Sequence, residues 1–84
     1  MKYTLIRRNR SLRTTSHHEF VSWMRKTDLQ EWTNNQDFML GYSKRKSTFE
    51  GLNIRFDTEQ NFVEDLQKND LLKIESPKGL FGLF

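Results

Sequence analysis

Ser16 stands three residues ahead of Glu19, directly before Phe20, Val21, Trp23 and Met24. This spacing limits the options of the chain more than any other. A serine oxygen here can accept the Glu19 N–H while the glutamate reaches back to the serine N–H, so that a capping box satisfies two donors at a helix start. Phe20, Trp23 and Met24 then share one helical face with Val21 at its edge. Arg25 and Lys26 fall where cations complement the helix dipole. A helix is expected over 17–27, and His17 and His18 become first-turn residues. Neighbours on a helix point about 100° apart, so the two rings do not chelate one ion well. The chain has no further His and no Cys, and ligand count therefore argues against a metal site.

The other elements hang on this one. "KYTLIRR" alternates as a strand, with Tyr3, Leu5 and Arg7 on one face and Thr4, Ile6 and Arg8 on the other. Residues 9–15 are polar and read as a loop. Leu29 and Trp32 are expected to cover the core from a connecting segment. The stretch 34–52 admits two readings. As a strand, Phe38, Leu40 and Tyr42 alternate, and the pattern fails at Lys44 and Lys46. As a helix, Phe38, Tyr42 and Phe49 share a face, Asn34 with Asp37 marks a start, and Gly51 before Leu52 marks a stop. The helix is preferred, although Gly41 inside it costs about 1 kcal/mol relative to alanine. "LNIRFDT" reads as a strand with Leu52, Ile54 and Phe56 inward. Asp57 or Thr58 then caps a helix with Phe62, Val63 and Leu66 as its stripe, and "LLKIES" is a last strand.

The expected fold class is α+β, a small mixed sheet with helices packed on one face, in the order β-α-α-β-α-β. The alternative, with 38–46 as a strand, is the ferredoxin-like order βαββαβ. Residues 1–76 form one domain in this reading and 77–84 an apolar tail. If the strands at 52–57 and 71–76 are parallel neighbours, their crossover should be right-handed. With 84 residues and 35% hydrophobic content, the core leans on aromatics that bury roughly 150–250 Å² each.

Absent cysteine removes disulfides and thiolate sites, and it favours a reducing, cytoplasmic setting. No apolar run reaches the roughly 20 residues that span a bilayer, so no membrane partner is expected. No glycine-rich phosphate loop and no G-x-S-x-G motif occur. Glu59, Glu64 and Asp65 read as a solvated helix face, with Glu64 and Lys68 as an i,i+4 pair. No catalytic residue, metal or cofactor is expected, and the chain is read as a non-enzyme.

Charge is the more informative property. Residues 1–28 hold seven Lys or Arg against two Asp or Glu, whereas 52–84 hold four against six. Arg7, Arg8, Arg10 and Arg13 surround a strand end and loop, and Lys44, Arg45 and Lys46 form a second cluster. Arginine makes bidentate contacts with phosphate. The plainer reading is a solvated rim, or partners for acids of the same chain. The ferredoxin-like alternative would invite sheet-face RNA binding. Its strand 52–57, however, turns Asn53, Arg55 and Asp57 outward, where RNA-recognition motifs carry aromatics. The tail offers Leu80, Phe81, Leu83 and Phe84 to a partner groove, a sheet edge or a second copy. The leading expectation is a small non-catalytic module acting through protein contacts, by self-association or as an adaptor. The alternative is nucleic-acid binding through Arg7, Arg8, Arg10, Arg13, Lys44, Arg45 and Lys46.

Overall fold

The computed structural model describes residues 1–76. The chain is the α+β domain that its sequence implies, built from a three-stranded sheet and three helices. The order is β1 (Lys2–Leu5), β2 (Arg10–Arg13), α1 (His17–Thr27), α2 (Asn35–Glu50), α3 (Glu59–Lys68) and β3 (Leu72–Glu75). The sheet order is β2-β1-β3 and both pairings are antiparallel.

Register sorts the sheet into two faces. Leu12, Tyr3 and Ile74 lie side by side, as do Arg10, Leu5 and Leu72. Tyr3, Leu5 and Leu72 are buried beneath the helices. The opposite face carries Lys2, Thr4, Ser11, Arg13, Lys73 and Glu75, and a Thr4–Ser11 hydroxyl pair at 3.0 Å crosses it. The helices contribute Phe20, Val21 and Met24 of α1, Phe38, Met39 and Tyr42 of α2, and Phe62, Val63 and Leu66 of α3 to the same core. Tyr3 stacks on Phe20 at 4.8 Å, and Phe62 meets Tyr42 and Phe38 edge-on at 5.5 and 6.3 Å.

Each helix starts on a side-chain cap. Ser16 Oγ accepts the Glu19 N–H at 3.2 Å, Asn34 Oδ1 the Asp37 N–H at 2.8 Å, and Thr58 Oγ1 the Asn61 N–H at 3.0 Å. The capping box at α1 is modified. Glu19 accepts from the Thr14 hydroxyl at 3.2 Å, and Thr14 Oγ1 accepts the Ser16 N–H at 3.3 Å, so a third residue relays the return bond. At the end of α2, Gly51 takes the left-handed conformation (φ 67°), and the Leu52 N–H donates back to the Lys46 carbonyl at 3.2 Å.

The fold departs from expectation in three places. Residues 10–13, read as loop, form β2. The four residues Ile6–Asn9 make a hairpin turn, and Asn9 supplies the positive φ of 52° that glycine often provides. Residues 52–57 join no strand. The Arg55 N–H donates instead to Asp65 at 2.8 Å, and the Phe56 carbonyl accepts from Gln36 at 2.6 Å. The sheet is consequently antiparallel rather than mixed, the order becomes β-β-α-α-α-β, and no parallel crossover forms. The third departure concerns single side chains. Leu29 is fully exposed, Phe49 is 81% exposed and Phe56 39% exposed, while Trp32 packs on the core from its connecting segment. The helix stripe of α2 ends at Tyr42, because the chain beyond it runs past the core edge toward the hairpin turn.

Candidate functional site

The β1–β2 hairpin turn carries Arg7 and Arg8, with Arg10 opening β2. It lies against the C-terminal half of α2. Arg7 pairs with Glu50, which also accepts from Lys46 Nζ at 2.7 Å. Arg8 lines one hollow of about 220 Å³ with Tyr42, Arg45, Lys46, Phe49 and Glu50. It lines a second of about 480 Å³ with Arg10, Thr27, Asp28, Leu29, Gln30 and Arg45. Arg8 and Arg45 are common to both, so the two basic clusters of the sequence form one surface. Arg7, Arg8, Arg10, Arg45 and Lys46 contribute to it. Arg13 does not, because it pairs with Lys2 at the far end of the hairpin. Lys44 does not either, because it turns toward Ser47 and Ile54 on another side of α2.

The surface is held by its underside. Arg45 lies 5.9 Å from the ring centres of both Trp32 and Tyr42, and Lys46 Nζ lies 5.4 Å from that of Tyr42. Trp32 in turn donates Nε1–H to Asp28 Oδ2 at 2.6 Å, and the same oxygen is 3.8 Å from Arg45. Cations over aromatic faces are attracted by the ring quadrupole, and the guanidinium of Arg45 is thereby oriented before any ligand arrives. Burial pushes the Tyr42 phenol up to about 12, against the opposing pull of Arg8, Arg45 and Arg7. Hydrogen bonds from Lys46 and Arg7 hold the Glu50 carboxyl below its ordinary range. Five cations therefore face two carboxylates, Glu50 and Asp28. Among the described residues, Arg8 and Arg10 make no ion pair.

A larger cleft of about 570 Å³ lies where the first turns of α2 and α3 approach α1. The two histidines, read from sequence as idle helix-start residues, take separate roles, and of the two His18 lines this cleft. His17 Nδ1 and the Tyr3 hydroxyl are hydrogen-bonded at 2.8 Å, which ties the buried tyrosine to the helix start. His18 Nδ1 lies 2.9 and 3.1 Å from the two oxygens of Glu59. Asn35 donates to Glu59 and to the Ser22 hydroxyl at 2.9 Å each, and its carbonyl accepts from Arg25 Nε at 2.7 Å. The amide of Asn35 is thus spent on clamping three helices together. Ser22, one turn after His18, bonds to Asn35 rather than to the imidazole. Among the described residues no group of three or more His, Asp or Glu is placed to hold a metal.

Glu64 and Asp65 are also structural. Asp65 is buried and takes both Nε and NH2 of Arg55 at 3.0 and 2.9 Å, while Glu64 reaches Arg55 at 3.3 Å instead of Lys68. Hydrogen bonds from Arg55 hold the Asp65 carboxyl below its ordinary range. The expectation of a wholly solvated acidic face on α3 is corrected by these contacts. It could not have been read from α3 alone, since Arg55 lies on the segment before it.

Leu80, Phe81, Leu83 and Phe84 lie outside the described residues. No helix among those described is long and apolar enough to cross a membrane. No protein-family model, curated protein or solved structure matches the chain.

Proposed function

We propose that this protein is a small, non-catalytic nucleic-acid-binding module whose ligand lies across the hairpin turn and the C-terminal half of α2. The observation that carries this reading is the convergence of Arg8 and Arg10 with Arg45 at adjoining hollows. The two arginine-rich segments are remote in sequence, and either alone would be an ordinary solvated rim. Together they place Arg8 and Arg10, without ion pairs among the described residues, beside the oriented guanidinium of Arg45, which suits phosphate oxygens. The His18 cleft supports binding less well, because its polar groups already satisfy one another. Protein contact through the tail rests on residues outside the described part of the chain.

The test is a titration of labelled DNA and RNA at two or more salt concentrations. Release of counterions by up to five cations gives a log–log salt slope no steeper than about −4.5 on duplex. Arg8→Ala and Arg10→Ala should each weaken binding more than Arg13→Ala or Lys44→Ala, which alter the same net charge away from the surface. Equal effects of all four would mean that total charge, not this surface, governs binding. Absence of binding at low salt, or tighter binding to phosphatidylserine vesicles than to any nucleic acid, would refute the proposal.

A further inference from the structure

We infer that Phe49 is a stacking platform and that the preferred ligand is single-stranded, an inference that rests on the nucleic-acid reading of this surface. Phe49 lies in the last turn of α2, 81% exposed, although two other aromatic residues of the helix, Phe38 and Tyr42, are buried. An isolated exposed phenylalanine would need no explanation. This one lines the hollow that Arg8, Arg45 and Lys46 also line, with Arg45 one helical turn before it. A large apolar ring among three cations and one carboxylate is a poor surface for an apolar protein partner, since docking would bury the excess positive charge without counterparts. It is a good surface for a nucleobase, whose π-face packs on the ring while its phosphate reaches the arginines.

Strandedness follows from access. In a duplex the base faces are covered by their neighbours, and a side chain at a helix end meets only phosphates and groove edges. An unpaired strand presents the faces themselves. Phe49 would therefore add nothing to duplex binding and would add one stacked base to single-strand binding. Leu29, fully exposed at the other hollow, leaves the arginines between two apolar groups, an arrangement that follows a flexible strand in either direction.

The experiment compares fluorescence anisotropy of a labelled oligo-dT strand, an oligo-dA strand and the duplex they form. The parent protein, Phe49→Ala, Phe49→Trp and Arg8→Ala/Arg10→Ala are tested, with circular dichroism melts to confirm folding. Because Phe49 is outside the core, the substitutions should leave the melt unchanged. The parent should bind single strands more tightly than duplex. Phe49→Ala should weaken single-strand binding roughly 5- to 100-fold with an unaltered salt slope and unaltered duplex affinity, and Phe49→Trp should restore or exceed the parent. The double arginine variant should lose affinity for both forms and show a shallower salt slope. Binding that depends on the arginines but favours duplex, or that ignores Phe49, overturns the stacking inference and leaves the proposed function standing. Failure to bind any strand or duplex at low salt overturns both.

Discussion

Gly41→Ala should destabilise this protein, against the direction that helix propensity gives. Gly41 lies inside α2, where alanine is favoured by about 1 kcal/mol. The indole of Trp32, however, crosses directly over its Cα. A Cβ at position 41 would lie 2.5 Å from Trp32 Cζ3 and nearer still to Cη2, whereas carbon atoms pack at roughly 3.5–4.0 Å. The ring must retreat by about 1 Å or more. It is anchored by its bond to Asp28 and by its edge-on packing against Phe38 at 6.0 Å. Disrupting a bond to a carboxylate costs about 1.5–3 kcal/mol, and an aromatic pair about 0.5–1.5 kcal/mol. Partial loss of both, less the propensity gain, leaves a net destabilisation of about 1–2 kcal/mol, or a melting temperature lower by roughly 5–15 °C. Urea and thermal denaturation followed by circular dichroism would measure it. In a Trp32→Leu background the obstruction is gone, and the same substitution should stabilise by about 1 kcal/mol. A higher melting temperature for Gly41→Ala in the parent chain, or no change of sign in the Trp32→Leu background, would refute the packing argument.

Three further outcomes are expected. Ser43 is buried, and its hydroxyl has no hydrogen-bond partner among the described residues, so Ser43→Ala should raise the stability measured by urea unfolding by about 0.5–1 kcal/mol. The Asp65 carboxyl is lowered from 3.8, so on acidification the unfolded chain takes up its proton first. Its contribution is complete above the ordinary aspartate range and is lost as pH falls through the folded value. Asp65→Asn should lower stability at neutral pH and flatten the acid limb of a stability–pH curve. Tyr42 shows the reverse case, since its folded value of about 12 stands above the ordinary 10. Stability should fall as pH rises from 10 toward 12, by about 2–3 kcal/mol at most, and Tyr42→Phe should make alkaline denaturation shallower.

The helices were the legible part of this chain, because their signals are local. Ser16, Asn34, Thr58 and Gly51 act on backbone groups a few residues away. The choice of helix over strand for 35–50 was therefore available from its two ends, despite Gly41. What escaped was set by partners distant in sequence. Arg10–Arg13 has a single half-buried apolar residue, Leu12, and becomes a strand only because Tyr3 lies beside it. Residues 52–57 have the alternation of a strand, but their backbone groups are met by Asp65 and Gln36. Trp32 over Gly41, His18 on Glu59 and Asp65 beneath Arg55 are likewise pairings between elements. Of the seven candidate basic residues, five share a surface. The separation of Arg13 and Lys44 from them depends on strand register and helix phase.

Of the three strands, the central one comes first along the chain and one of its neighbours comes last. Ribosomal delivery gives β1 its hairpin mate early, yet Lys2 must wait for Glu75 before the second ladder can zip. Closing so long a loop is entropically slow compared with forming hairpins or helices. Until β3 pairs with it, β1 displays an open edge along Lys2–Leu5 that a neighbouring polypeptide could seize.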